Sequence, residues 1–263
     1  SVSEFAIIAA GTSPRLGEGE WAVSGYIDLH VHFVPGVDDG ARTRDDALAM
    51  CRELGAIGFE QLVATPHMRL GMFDNSRDRL EIAFRTFHAE ASQVPGVPLL
   101  GLASEQHFDS GLADGLLGGG LLPYPGQKAI LLEFGYEAFP FFVEKVLHKV
   151  ALKGLRPVLA HPERYVPLFK RTDGLDPLLE LDVAMQLDLL SLVGKYGKAA
   201  QRAAERMLDE GVYCVAASDA HGVQDVPLVA TAIARLFALV GPDEAKTLLG
   251  ENPRRLLAGE ATL

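Results

Sequence analysis

The chain has 263 residues, 48% of them hydrophobic, and a formal net charge of −11. This length is enough to bury a large core, and α/β barrels of about 250 residues commonly fold as single domains. The acidic balance argues against a nucleic-acid partner, because a general nucleic-acid binder carries a basic face. No apolar run approaches the roughly 20 residues of a membrane span. We therefore expect a protein that does not insert into a membrane. Cys51 and Cys214 match no CxxC or zinc-finger spacing and are expected to be core residues in a reducing compartment, so the cytoplasm is the expected location.

Residues 1–25 show no clear periodicity. Their apolar stretch FAIIAA lacks the basic start of a secretory signal. We interpret this segment as an N-terminal extension that is disordered, partly introduced by cloning, or packed on a neighbour through FAIIAA. No later stretch has the composition of a linker, so residues 26–263 are expected to form one domain.

Seven β-like runs follow in chain order: YIDLHVHF, QLVATPH, LLGLASEQHF, AILLEFGY, PVLAHPERY, VAMQLDLL and VYCVAASDAH. The first helix is predicted to begin after Thr43, an N-cap with Asp46 as a weak capping-box acid three residues later. Helical spacing recurs over residues 76–94, 138–153, 197–210 and 228–239. Alternating strands and helices predict an α/β fold with a parallel sheet and crossover helices.

Polar side chains fall at the C-terminal end of nearly every β-like run. They are His30, His32, His67, Glu105, Glu133, His161, Asp219 and His221. In α/β barrels the C-terminal ends of the strands converge on one face, where the chemistry takes place. Residues that are far apart in sequence are therefore expected to meet in one pocket.

The spacing of these residues predicts a metal site. Residues i and i+2 of a strand point to the same side, so His30 and His32 can bind one ion, and Asp219 and His221 repeat the spacing. The predicted ligands are His30, His32, Asp39, His67, Glu105, Glu133, His161, Asp219 and His221. Nine ligands suit two or three ions with a bridging carboxylate, and imidazole with carboxylate suits zinc, manganese or iron. Four carboxylates in one pocket would also need cations to remain ionised.

Neighbouring polar residues receive simpler interpretations. Asp38 is expected to order the turn before Asp39, since Asp favours bonds to nearby main-chain groups. His107 is expected to be structural. Tyr165 and Phe73 are expected to pack in the core, although both could flank an aromatic substrate.

The motifs IDLHVHFVPGVDDGART, ATPH, HPERY and SDAH resemble the signatures of the PHP (polymerase and histidinol phosphatase) superfamily. HMRLGMF, QLDLLSLVGKYG and ENPRRLL narrow the resemblance to the bacterial manganese-dependent protein-tyrosine phosphatases of capsule and exopolysaccharide operons. The similarity runs from about Tyr26 to Arg255.

The resemblance implies a distorted (β/α)7 barrel, TIM-like, with three divalent metal ions. Mn²⁺ is the first expectation, and Fe, Zn and Mg are alternatives. One ion would be held by His30, His32, Glu105 and Asp219. Glu105 would bridge to a second ion held by Glu133 and His161. The third ion would be held by Asp39, His67 and His221.

The resemblance also implies a phosphotyrosine-protein phosphatase whose substrate is the tail of a bacterial tyrosine kinase. Arg164 would bind the phosphoryl group, helped by Arg69. His67 or His221, near the third ion, or a metal-bound water would serve as the acid. A homo-oligomer is compatible with the resemblance.

Three departures from the family pattern concern substrate binding. Relatives often carry a second arginine shortly after the SDxH motif, where this chain has Val226. Some relatives have a more basic loop after the second-strand histidine, where this chain offers only Arg69. Asp188 stands where relatives tend to have Asn. Phosphate binding is therefore expected to rest on Arg164, Arg69 and the metals.

Alternative functions remain open from the sequence. Six residues after Cys51 and Cys214 stand Ile57 and Ala220, so the Cys-X5-Arg motif of cysteine-based phosphatases is absent. A small-molecule phosphatase, such as a histidinol-phosphate phosphatase, would share the metals. A metal-dependent amide or ester hydrolase would need a bridging lysine, which no strand end offers. A non-catalytic regulator that binds a kinase is the alternative from another class.

Overall fold

The computed structural model describes residues 25–262. The extension predicted for residues 1–25 therefore lies, except for Gly25, outside the described residues. The strands are β1 (Tyr26–Val31), β2 (Phe59–Ala64), β3 (His67–Met68), β4 (Leu99–Leu102), β5 (Glu105–His107), β6 (Ala129–Glu133), β7 (Arg156–Ala160), β8 (Ala184–Asp188) and β9 (Val215–Ala217). The helices are α1 (Arg44–Ala56), α2 (Arg77–Ala91), α3 (Ser110–Gly118), α4 (Val143–Leu152), α5 (Asp176–Glu180), α6 (Gly197–Asp209), α7 (Val226–Val240), α8 (Pro242–Lys246) and α9 (Asn252–Ala258).

The strands form two parallel ladders, β1-β2-β4 and β3-β5-β6-β7-β8-β9. Two residues separate β2 from β3 and β4 from β5, so each pair is one strand with an interruption. A parallel bridge between Val31 and Ala220 brings the chain after β9 back to β1, and the His32 amide donates to the Ala220 carbonyl at 2.9 Å. Seven strands thus follow one another around a ring, which confirms the predicted barrel-like α/β fold.

Alternating side chains along each strand build two apolar layers. On β6, Ala129 and Leu131 belong to an inner cluster made almost entirely of strand residues. Ile130 and Leu132 belong to the larger cluster that includes the helices. Because side chains two apart share a side of a strand, Glu133 continues the inner face at the C-terminal end of β6.

The first helix begins as predicted. The Thr43 hydroxyl accepts from the Asp46 amide at 3.2 Å, and the Asp46 carboxylate accepts from the Thr43 amide at 3.3 Å. The helix predicted over 138–153 begins later, at Val143, because Phe142 before it has a left-handed conformation with φ 59° and Pro140 disfavours the helical conformation for Phe139. Helix α3 was not predicted, since its Gly-rich sequence has low helix propensity.

One helical window within residues 25–262, Val223–Val240, has the length and the mean hydropathy, 1.6, of a membrane span. Five residues of α7 within this window are buried in the protein. The Asp225 carboxylate pairs with the Lys195 ammonium at 2.7 Å. These contacts make the window part of the helical layer around the strands.

Substitution Thr43→Ala is expected to lower the free energy of unfolding by about 1 kcal/mol, because the first-turn amides of α1 lose their capping acceptor. Urea denaturation measures the change. Thr86→Ala is the matched control, since that exposed hydroxyl lies inside α2 and bonds the Ile82 carbonyl. Equal stability of the two variants would show that the cap does not stabilise the fold.

Candidate metal centre

The C-terminal ends of the strands bring all nine predicted ligands together. Each has a nitrogen or oxygen within 3.9 Å of another member of the set. The members are His30, His32, Asp39, His67, Glu105, Glu133, His161, Asp219 and His221. The set therefore forms one continuous cluster of imidazoles and carboxylates.

Glu105 lies at the middle of this cluster and is 1% exposed. Its Oε2 lies 3.2 Å from His30 Nε2, 3.5 Å from His32 Nε2 and 2.9 Å from His67 Nδ1. Its Oε1 lies 3.1 Å from His161 Nε2. One carboxylate therefore faces four histidines from three other strands, which is the arrangement a bridging ligand needs.

Asp219 closes the cluster from the last strand. Its Oδ1 lies 3.1 Å from His30 Nε2 and 3.4 Å from His32 Nε2. Asp219 has φ 49° and His161 has φ 35°, in the left-handed region that non-glycine residues rarely occupy. Such conformations cost about 1–3 kcal/mol each and concentrate at functional sites.

Two side chains outside the predicted set orient the histidines of β1. His30 Nδ1 lies 2.7 Å from Gln186 Oε1, and His32 Nδ1 lies 2.8 Å from Asp38 Oδ2. Because both partners are acceptors in these contacts, Nδ1 is the donor in each, and Nε2 is the nitrogen left to bind a metal ion once its own proton is displaced. The two Nε2 atoms are thus directed at the carboxylates as metal donors would be.

Asp38 and Asp39 are adjacent in sequence but contact different groups, as expected. The Asp38 carboxylate accepts from the His67 main-chain amide at 3.1 Å as well as contacting His32. Asp39 Oδ1 instead lies 3.4 Å from His67 Nε2 and 3.5 Å from His221 Nε2. Asp38 orders the turn, and Asp39 faces the cluster.

Buried atoms without hydrogen bonds test whether the cluster fits metal ions. His30 Nε2, His32 Nε2, Glu105 Oε2 and Asp219 Oδ1 are buried and make no hydrogen bond. Two imidazole nitrogens and two carboxylate oxygens in this position match the donor set of a transition-metal ion. The residues present therefore fit a divalent cation.

The ligand atoms fall into three groups, and within each group all the atoms lie within 4.8 Å of one another. They are His32–Asp39–His67–His221, His30–His32–Asp219 and His67–Glu105–Glu133. The grouping differs from the one that the resemblance implied, because His32 and His67 each lie between two groups. His161 joins the cluster through Glu105, and its Nε2 lies 3.9 Å from Glu133 Oε1.

Charges within the cluster shift the histidine pKa values strongly. Burial opposes the His30 imidazolium, but Glu105 and Asp219 outweigh burial and raise the pKa of His30 to about 10. His67 is also buried, which opposes its imidazolium, but Glu105 outweighs this burial and raises the pKa of His67 to about 12. Burial also disfavours the Glu105 carboxylate, yet the facing histidines hold its pKa well below its usual value. Protons thus balance the carboxylates, and a divalent cation would displace them.

Arg164 lies beside the cluster, directly after the strand end that carries His161. Its Nη1 donates to Asp219 Oδ2 at 2.7 Å and lies 3.5 Å from Asp188 Oδ2. Asp188, which departs from the family pattern, therefore adds a second carboxylate beside this guanidinium. The ion pair with Asp219 ties Arg164 to a predicted metal ligand.

Arg69 has a different position. Arg69 and Phe73 form an isolated antiparallel bridge, and both line a cavity of about 370 Å³ whose lining includes none of the nine predicted ligands. Among residues 25–262 no ion pair joins the Arg69 guanidinium to the nine predicted ligands. Its role in phosphate binding remains a prediction.

Tyr165 packs in the core as expected, since it is completely buried and its hydroxyl donates to the Ala160 carbonyl at 2.9 Å. Phe73 is half-buried, and its ring stacks on His67 at 5.0 Å. His107 contacts the cluster, with Nδ1 3.1 Å from Glu133 Oε2.

Three side chains at the site were missed: Gln186, Tyr136 and Tyr196. Gln186 lies two residues after Ala184 on the inward face of β8, so strand alternation gave a signal for it. Tyr136 and Tyr196 lie outside the strands, where no periodicity applies.

Comparison with known proteins now identifies the family. The family described as "Capsular polysaccharide synthesis, CpsB/CapC" matches residues 26–258. The chain belongs to the CpsB/CapC family. Tyrosine-protein phosphatase YwqE of Bacillus subtilis (strain 168) is 31% identical, over 75% of this chain and 78% of YwqE. Tyrosine-protein phosphatase CpsB of Streptococcus pneumoniae is 24% identical, over 88% of this chain and 98% of CpsB.

Solved structures agree with the CpsB/CapC assignment. A structure from the work on YwqE and CpsB, described as unique metal-dependent tyrosine phosphatases, matches with a TM-score of 0.82 and 28% identity. That match covers 90% of this chain and 96% of the other. An amidohydrolase from Mycoplasma synoviae matches at a TM-score of 0.56 and 15% identity, covering 92% of this chain and 90% of its own, and shares the fold alone.

Binding of Mn²⁺ is expected to release protons, so that apparent affinity rises with pH. His30, whose pKa is raised to about 10, carries a proton at neutral pH that the metal must displace. Calorimetric titration at about pH 6 and about pH 8, in buffers of different ionisation enthalpy, measures both effects. Affinity and heat that do not depend on pH or buffer would contradict this prediction.

Substitution Gln186→Leu is expected to weaken Mn²⁺ binding about 10- to 100-fold, because His30 loses the acceptor that fixes its ring. Competition against a fluorescent chelator measures the affinity. Gln201→Leu on α6 is the matched control, since that amide lies outside the site and donates to the Leu192 carbonyl at 2.9 Å. Equal affinities in the two variants would mean that Gln186 does not orient the ligand.

Proposed function

We propose that this protein is a metal-dependent phosphotyrosine-protein phosphatase of capsule or exopolysaccharide synthesis. The observation that carries the proposal is the cluster of nine imidazole and carboxylate side chains with Arg164 beside it. Membership of the CpsB/CapC family, whose curated relatives are named tyrosine-protein phosphatases, supports it.

Three divalent ions, with Mn²⁺ as the first choice, fit the cluster best in this proposal. His30, His32 and Asp219 would hold one ion, with Glu105 as the bridge. Glu133 and His161 would hold the second ion with Glu105. The third ion would be held by Asp39, His67 and His221.

The bound ions would lower the pKa of a water toward neutrality, which supplies the nucleophile for attack on phosphorus. Arg164 would hold the phosphoryl oxygens and neutralise their charge in the transition state. The leaving phenolate has a pKa near 10, so it needs less protonation than an alkoxide would. His67 and His221 both contact Asp39 at the more exposed side of the cluster. A metal-bound water beside them, or whichever of the two is not bound to the third ion, would give that proton.

A phosphotyrosine protein is the proposed substrate, and the tail of a bacterial tyrosine kinase is the proposed partner. The described cysteines, Cys51 and Cys214, are both free, which is consistent with a reducing compartment and with the cytoplasm as the place of the reaction. A phosphotyrosine tail would reach the cluster through the exposed loops after the strands.

The test is hydrolysis of a phosphotyrosyl peptide, beside histidinol phosphate, by chelator-stripped protein after Mn²⁺ is added back. The peptide is expected to be hydrolysed preferentially. His161→Ala is expected to lose about 100-fold or more, because it removes a proposed ligand of the bridged pair.

His148→Ala is the matched control, since His148 is exposed on α4, away from the cluster. It is expected to keep full activity. Preference for histidinol phosphate would overturn the substrate assignment and favour a small-molecule phosphatase. Hydrolysis of neither compound by metal-loaded protein would favour the non-catalytic kinase-binding alternative.

A further inference from the structure

Arg164 lies between two tyrosines from different loops. Its Cζ lies 5.0 Å from the centre of the Tyr136 ring and 4.1 Å from the centre of the Tyr196 ring. The side chain is 16% exposed, so the guanidinium has little freedom to change its rotamer. Arginine side chains otherwise carry about 2 kcal/mol of rotamer entropy.

Tyr136 makes the shorter and more directional contact. Arg164 Nη2 donates to the Tyr136 hydroxyl at 2.6 Å, and that hydroxyl donates to Glu133 Oε1 at 2.9 Å. A single hydroxyl therefore links the guanidinium to a predicted metal ligand. The loop itself is fixed, because the Val166 amide donates to the Tyr136 carbonyl at 2.8 Å.

Asp219 makes a second link on the other side of the guanidinium. Its Oδ2 accepts from Arg164 Nη1 at 2.7 Å, while its Oδ1 faces His30 and His32. The Tyr196 hydroxyl lies farther from Oδ2, at 3.4 Å. Arg164 is thus joined to the cluster through both Glu133 and Asp219, and these two links use two of the five N–H groups of its guanidinium.

We propose that Tyr136 is a positioning residue for phosphoryl binding, which holds the Arg164 guanidinium at a fixed place relative to Glu133. The inference rests on the proposed function and adds a residue to it. Misplacement of a binding group by about 1 Å can cost 100-fold in rate. A hydrogen bond that holds the guanidinium at a fixed place relative to the cluster therefore favours the reaction. Tyr196 supports the same guanidinium by stacking.

The experiment measures binding of inorganic phosphate to Mn²⁺-loaded protein by calorimetry, together with KM and kcat for a phosphotyrosyl peptide. Tyr136→Phe keeps the ring and removes the hydroxyl. It is expected to weaken phosphate binding about tenfold and to raise KM about as much. We expect kcat to fall as well, by about tenfold, because Arg164 also neutralises charge in the transition state, and the Mn²⁺ content to be unchanged.

Two further tyrosine variants separate the hydroxyl from the ring. Tyr196→Phe is expected to bind phosphate within about twofold of wild type, and Tyr196→Leu about threefold more weakly, because only the latter removes the stacking. Tyr26→Phe, on the far end of β1 where the ring packs on Phe59, is the matched control and is expected to have no effect.

A double-mutant cycle decides whether Tyr136 acts through Arg164. In the Arg164→Lys background, Tyr136→Phe is expected to add no further loss of phosphate affinity, since the guanidinium is gone. An equal loss in both backgrounds, or a loss of Mn²⁺ from Tyr136→Phe, would overturn the proposal, because Tyr136 would then act on the metal through Glu133. Unchanged phosphate affinity in Tyr136→Phe would also overturn it.

The phosphate measurement separates this proposal from the proposed function. If wild type binds phosphate and shows the predicted coupling but leaves the peptide intact, the positioning role stands and the peptide substrate is wrong. If metal-loaded wild type binds no phosphate at all, both proposals fail.

Discussion

The burial of Glu105 among four histidines is the constraint on which the rest of the structure depends. A carboxylate that is 1% exposed is very unfavourable without compensating charge. That charge comes from protons on the facing imidazoles or from metal ions in their place. Each source requires side chains from several strands to stand within about 3 Å of the same oxygens. The barrel-like ring supplies this arrangement, because the C-terminal ends of all its strands point to one face.

A second set of residues makes the cluster specific. Gln186 and Asp38 bind Nδ1 of His30 and His32, so that the Nε2 atoms point inward at the carboxylates. Tyr136 and Asp219 join Arg164 to the same cluster. The positive group for a phosphoryl oxygen and the ligands for the cations are therefore parts of one hydrogen-bonded network. A change in one part alters the geometry of the other.

Much of this site was predictable, because it lies where strands end. The parallel strands of an α/β barrel bring their C-terminal ends to one face, so histidines and carboxylates at those positions were expected to meet there. Thr43 was predictable for a similar local reason, since a cap depends on its own helix. The contacts of Tyr136 and Tyr196 could not be predicted, because each depends on the path of a loop. Arg69 was predicted from its place in sequence two residues after His67, and its role in phosphate binding stays a prediction.

The bridge between Val31 and Ala220 has a consequence for the synthesis of the chain. It joins the first strand to the segment after the last one, and Asp219 and His221 lie within that segment. A ribosome makes His30 and His32 early and these partners late. A partly made chain can therefore form helices and several strands while its ligand set is still incomplete. The cluster, and any chemistry it performs, becomes available only when the C-terminal part of the domain has left the ribosome and the ring has closed.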